Sequence, residues 1–146
     1  MQRSLPVNLP YTDVMKKRAN FINKSNELLQ ELYFAHPVTT AELNRIYNTH
    51  FYGSVLWDIS SKEVNKLEKT WNVSVRRTFK LPWQTHCYLI EAVSKQEHVR
   101  TIMITRFLSF IQSVRNSKKK VLRHVLRVIE HDTLSVTGRN LRSILI

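Results

Sequence analysis

Cysteine occurs once in this chain of 146 residues, at Cys87. No disulfide can form within the chain, and no metal cluster of the CxxC type can be built. Acidic residues are few, eleven against twenty-three Lys and Arg. The only aspartates are Asp13, Asp58 and Asp132, each isolated, with no acidic pair at metal-binding spacing. Two-metal nucleotidyl transfer needs clustered carboxylates to hold both ions, so the sequence offers no such centre. His36, His50, His86, His98, His124 and His131 are scattered, and no H-E-x-x-H spacing occurs. His86 and Cys87 are neighbours and do not face each other on a helix or a strand, which excludes a Cys–His dyad there. Gly53 and Gly138 are the only glycines, and they stand apart, so there is no glycine-rich phosphate loop. No apolar run reaches the 18 or more residues of a membrane span. The opening MQRSLPVNLP lacks the apolar core of a signal peptide, which leads us to expect a nuclear or cytoplasmic setting and no membrane partner.

What remains is helical patterning and positive charge. Two glycines and four prolines are few breakers for this length and favour an all-α chain. The size fits one domain, which buries roughly 68–70% of its unfolded surface without needing a staple. The formal net charge of +12 favours a polyanionic partner, nucleic acid before anionic membrane.

The most informative stretch runs from His50 to Leu81. It opens on a nearly uncharged run, Phe51 to Trp57, whose apolar residues surround a helical axis and predict a helix end buried on most sides. Gly53 within it, costly in a helix by about 1 kcal/mol, reads as a close backbone approach. After a polar break, Ser60 or Ser61 caps a basic helix that Pro82 stops. At about 100° per residue, Val64, Leu67, Trp71, Val75 and Thr78 share one side. Lys62, Lys66, Lys69, Arg76, Arg77 and Lys80 share the other, interrupted by Val73. An apolar side packed on a second helix, with a cationic row outward, suits a phosphate backbone.

Elsewhere, residues 1–10 read as an extended lead-in. A helix capped by Thr12 or Asp13 carries Val14, Arg18, Phe21, Ser25, Leu28 and Leu32 on one seam and ends before Pro37. Thr39 or Thr40 restarts the chain, Glu42 being placed for a capping box with Thr39. Leu43, Ile46, Tyr47, His50 and Ser54 then mark one face. A short helix is expected over about 85–93, and a long one from Glu97 to Val114 with Arg106 in the middle of its apolar arc. That arginine either packs by its stem, its head snorkelling or paired with a carboxylate, or is aimed at a phosphate. Ser117 is expected to cap a further helix, where Val121, Leu122, Val125, Val128 and Ile129 oppose Lys120, Arg123, His124, Arg127 and His131. Lys118, Lys119 and Lys120, with Arg123 and Arg127, make a second backbone-contacting or localisation patch. Residues 134–146 carry a Gly138 turn and end on three apolar residues, as if cut from something longer. Trp57 and Trp71 lie on apolar faces and read as core, whereas Trp83, in a loop after Pro82, is open to stacking on a base.

Seven short motifs occur in one order: Arg18-x-x-Phe21; Asn26-x-Leu28-Leu29-Gln30; Phe51-Tyr52-Gly53-Ser54-x-Leu56-Trp57-Asp58; Trp71-Asn72-x-x-x-Arg76; Leu81-Pro82-x-x-Thr85-His86-x-Tyr88-Leu89; Arg106-Phe107-Leu108-x-Phe110; and Thr137-Gly138-Arg139-Asn140-Leu141. Each is weak alone. Together, over residues 13 to 142, they resemble the region that follows the reverse transcriptase palm in LINE-type (non-LTR) retrotransposon polyproteins. The resemblance implies a helical thumb-and-connector segment that grips primer–template by its backbone. Fingers, palm and the Tyr-x-Asp-Asp or Phe-x-Asp-Asp motif are absent from the sequence, so no polymerase activity is expected of it alone. Faces meant for a palm would be exposed, chiefly in the Phe51–Trp57 run and at the last three residues.

The sequence therefore predicts one all-α domain over 1–146, an irregular thumb-like bundle of six to seven helices. It is expected to bind an RNA–DNA hybrid or duplex backbone through Lys62, Lys66, Lys69, Arg76, Arg77, Lys80, Arg106, Lys119, Lys120, Arg123 and Arg127, and to associate with a palm in a parent polyprotein. No catalytic residue, metal or cofactor is expected. The rival reading is a helical protein-interaction scaffold, or a relic, whose basic faces are only solvated.

Overall fold

The computed structural model describes residues 9–145, and side chains from Asp13 onward. Among them the chain is all-α, with seven helices, one 3-10 turn and no strand. The helices are α1 (Leu9–Glu31), α2 (Pro37–Asn48), α3 (Lys62–Thr78), α4 (Cys87–Ser94), α5 (Val99–Arg115), α6 (Lys120–His131) and α7 (Val136–Ile144). No described helix is long and apolar enough to cross a membrane. Of the expected lead-in, residues 1–8 lie outside the described part, and Leu9 and Pro10 are already helical. A proline in the first turn forfeits no intrahelical bond, so the helix starts ahead of Thr12.

Pro37 does the same for α2. It stands at the first helical position, and His36 caps the helix by accepting from the Val38 N–H at Nδ1, 3.2 Å. Thr39 is therefore inside the helix, not its cap. The face of α2 that packs inward is also not the expected one. Thr40, Ala41 and Asn44 are buried, while Ile46, Tyr47 and His50 are exposed. Hydrogen bonding explains the choice. Ser25 Oγ donates to Asn44 Oδ1 at 2.9 Å, and Asn44 Nδ2 donates to Ser74 Oγ at 3.1 Å, so Asn44 joins α1, α2 and α3 in one polar chain.

Residues 49–61 are not a helix end but a folded loop containing the 3-10 turn Ser54–Leu56. Gly53 has φ +85°, a left-handed conformation that glycine adopts freely, and a Cβ there would meet only Asp13 Oδ2 at 3.7 Å. Its role is conformational, and no backbone crowds it. The turn sorts the apolar residues: Phe51 and Trp57 are buried, whereas Tyr52 is 88% and Leu56 61% exposed. The buried pair enters the core built by α1, α3 and α5, with Phe51 6.2 Å from Phe21 and 5.9 Å from Trp57 between ring centroids. The Trp57 indole N–H donates to Asp13 Oδ2 at 2.9 Å, giving its polar edge a partner.

α3 follows its sequence pattern. Ser61 caps it by accepting from Val64 N–H, and Val64, Leu67, Trp71, Val75 and Thr78 are all buried. It ends at Thr78, ahead of Pro82, with Lys80 at φ +53° turning the chain. α5 is capped by His98 and carries two cores along its length. Val99 and Met103 belong to the core around Trp71, and Phe107 and Ile111 belong to a second, with Leu126 and Leu141.

That second core is where α6 departs from expectation. Leu126 is 6% exposed, but Val121 is 72% exposed and Leu122, Val125 and Val128 are also open to solvent. The apolar arc of α6 is real, yet only its edge meets α5 and α7. Arg115 of α5 pairs with Glu130 at 2.6 Å, next to Leu126 on the same side of the helix. Nor does Ser117 cap α6. It accepts from Lys119 N–H at 3.2 Å, and Lys119 is the capping position, without a side-chain bond. Gly138 is likewise not a turn. It lies within α7, where a Cβ would stand 2.6 Å from the Ile129 carbonyl oxygen and 2.8 Å from that of Asp132. Only glycine lets the end of α6 approach so closely. Ile144 packs on the second core, Leu145 is exposed, and Ile146 lies outside the described residues.

Candidate nucleic-acid interface

Charge on α3 is divided by the helix period. Of its two acidic residues, Glu63 lies in the first turn and Glu68 faces α5, paired with Arg100 at 2.8 Å and with His98 at 3.6 Å. The outward ridge keeps Lys62, Lys66, Lys69, Arg76 and Arg77, none of which has a carboxylate partner within ion-pair distance among the described residues. Unpaired cations in a row on a rigid helix provide a positive potential that a polyanion can meet.

Two clefts flank this ridge and share Lys69, Val73 and Arg77. The first, about 300 Å³, lies between α1 and α3 and adds Arg18 and Lys66 to its lining. Arg18 Nε donates to Thr70 Oγ1 at 2.8 Å, and Arg77 Nη1 to Asn26 Oδ1 at 2.7 Å. Both guanidiniums are thus held in place by neutral acceptors, and neither pairs with a carboxylate among the described residues. The second cleft, about 460 Å³, lies between α3 and the segment from Leu81 to Cys87. There Arg76 is engaged with the protein, its Nε and Nη2 donating to the Thr85 carbonyl at 3.1 and 2.6 Å. Its charge sits at the interface, but its donors mainly hold the loop.

The other expected residues line neither of these two clefts. Lys62 is exposed at the start of α3. Lys80 lies beyond the helix end, its Nζ 5.6 Å from the centre of the Tyr33 ring, a cation–π contact. Lys119 at the cap of α6 and Lys120 and Arg127 within it are exposed, and Arg123 donates to the Ser117 carbonyl at 3.1 Å. Arg123 and Arg127 line a separate cleft with Arg115 and Glu130, where a carboxylate already offsets part of the charge.

Arg106 is committed internally. Its Nη1 donates to the carbonyls of Thr49 and His50, the latter at 3.1 Å, just beyond the C-terminus of α2. Burial lowers its pKa from the ordinary arginine value. A cation at a helix C-terminus, satisfying carbonyls that the helix leaves unpaired, is a structural clamp.

Two participants escaped the reading of cationic stripes. Arg18 sits on the inward seam of α1 in the sequence, and only the packing of α1 on α3 brings its head to the cleft. Asn72 is buried at 4% exposure and lines the second cleft, yet its Oδ1 has no hydrogen-bond partner among the described residues. No isolated asparagine in a sequence announces that. Among the described residues, no group of three or more His, Cys, Asp or Glu is arranged to hold a metal ion. Compared with protein-family models, curated proteins and solved structures, the chain has no match.

Proposed function

We propose that this chain is a thumb-like helical module that grips nucleic acid through its backbone, with α3 as the principal contact. The convergence of Arg18, Lys66, Lys69 and Arg77 on one cleft, without a neutralising carboxylate among the described residues, carries this reading. The ordered motifs that resemble the segment after a LINE-type reverse transcriptase palm support it, and so does the net charge of +12. Catalysis forms no part of the proposal. In a parent polyprotein the active site would lie in the palm, and this segment would hold the primer–template.

The test is a salt titration of binding to a labelled RNA–DNA hybrid, with circular dichroism to verify the fold. Each phosphate contact contributes about −0.9 to the slope of log K against log salt on duplex DNA, and a steep negative slope is likewise expected on the hybrid. Replacing Lys66, Lys69 and Arg77 by Gln should flatten the slope by two to three such contacts. A folded protein that does not bind would refute the reading.

The exposed valines of α6 favour a second reading, a scaffold that docks an apolar face on a protein. It predicts concentration-dependent self-association or partner binding that is insensitive to substitutions on α3.

A further inference from the structure

The cleft on the α4 side of the ridge has features that backbone gripping does not use. Trp83 stands on its wall at 81% exposure, while Trp57 and Trp71 are buried. An indole left in water has no packing role there, but it offers a flat π surface. Bases stack on such surfaces whatever their sequence. The loop that presents it is fastened to α3, because Arg76 takes the Thr85 carbonyl with two donors.

Asn72 lies behind the cleft wall, its side-chain oxygen buried. Asn72 Nδ2 donates only to Cys87 Sγ, at 3.6 Å, and Oδ1 accepts from nothing among the described residues. Sulfur is a weak acceptor, and an unpaired buried carbonyl is costly, so the amide is poorly satisfied. Lys69 and Arg77 stand on the rim and are shared with the α1–α3 cleft, so a phosphate path passes beside the opening. The volume, about 460 Å³, lies within the range of pockets that hold small organic ligands.

We propose that this cleft receives one unpaired nucleobase of a strand whose phosphates lie on the α3 ridge, with Trp83 stacking on the base. Arg76 is a positioning residue that holds the loop. A base within a duplex is already paired and stacked, so the cleft selects a single-stranded segment or a frayed end. This inference rests on the proposed nucleic-acid binding and deepens it.

The experiment compares a single-stranded oligonucleotide with an abasic oligomer of equal length and charge, across a salt series. The protein is wild type or Trp83→Ala, a change at an exposed loop position. Alkylation of Cys87, the chain's one thiol, reports occupancy of the cleft. We expect the base-bearing strand to bind about tenfold more tightly than the abasic one, as one stacking contact provides. We also expect it to protect Cys87. Trp83→Ala should abolish both differences and leave the salt slope unchanged. Equal, salt-dependent binding of the two oligomers without protection would overturn the base pocket and leave backbone binding standing. Failure of both to bind folded protein would overturn both proposals.

Discussion

The side-chain amide of Asn140 donates to the carbonyl of Trp57 at 2.7 Å and accepts from the Ile59 N–H at 3.2 Å. One buried side chain on α7 thereby completes the backbone hydrogen bonds of a loop 83 positions earlier in the sequence. Asn140→Ala should lower stability by about 1–3 kcal/mol for each buried group left unpaired. Urea denaturation followed by circular dichroism should show a lower midpoint at unchanged slope. An unaltered midpoint would mean that water replaces the amide.

Gly138→Ala tests the close approach of α6 to α7. Helix propensity alone favours alanine by about 1 kcal/mol. Carbonyl oxygens at 2.6 and 2.8 Å from the new Cβ reverse that preference, because both belong to backbone that must move. We expect net destabilisation of about 1–3 kcal/mol, typical of overpacking. Stabilisation would show that the contact is loose.

The rotation of α6 can be read from a pair of substitutions. Leu126→Ala should cost about 2–5 kcal/mol, whereas Val121→Gln should fall within about 0.5 kcal/mol of wild type. The opposite order would place the helix with its valines inward.

Arg106→Met separates clamping from phosphate binding. Removing the guanidinium leaves the Thr49 and His50 carbonyls without their donor, so the melting temperature should fall. Affinity of the remaining folded protein for nucleic acid, and its salt slope, should match wild type. A lost phosphate contact would appear as a flatter slope.

Glu42 supplies a pH dependence. Hydrogen bonds from Arg45 and then from Gln96 lower its carboxyl pKa from the ordinary value of 4.5. A carboxyl depressed in the folded state contributes stability that is fully present above the unfolded-state value and is lost as pH falls through the folded one. The wild-type protein and Glu42→Gln should therefore differ in urea midpoint near neutrality, the difference shrinking as the solution is acidified through the carboxylate range. The effect should be small, since the side chain is exposed and solvent screens it.

Legibility followed how completely a local pattern determines packing. On α3 the apolar stripe and the core coincide, so its buried face and most of its cationic ridge could be read in advance. Lys80, however, lies beyond the helix end, and the pattern alone narrows the cap only to Ser60 or Ser61. On α6 the stripe spans a wide arc and neighbours cover only one edge, and periodicity names candidates for burial without choosing among them. Asn44 draws the polar side of α2 inward through bonds to Ser25 and Ser74, an outcome governed by partners on other helices. Arg106 had an internal acceptor at the end of α2 that its own helix could not reveal. The cleft behind Trp83 depends on a loop returning to α3, and only the open position of the tryptophan itself was visible in the sequence.

The division of the interior into two clusters has a spectroscopic consequence. Trp57 and Trp71 both belong to the first cluster, and no tryptophan belongs to the second, formed by Phe107, Ile111, Leu126 and Leu141. Indole emission therefore monitors one end of the molecule, while far-ultraviolet ellipticity weighs every helix. α5 runs through both clusters, and Asn140 of α7 bonds the loop that carries Trp57. Loosening at the α6–α7 end therefore reaches the emitting end along the rod and through those bonds. Coincident loss of the two signals in denaturant would mean that α5 and the Asn140 bonds couple the two ends into one transition. An ellipticity change that precedes the emission change would show the far end melting unseen by its tryptophans.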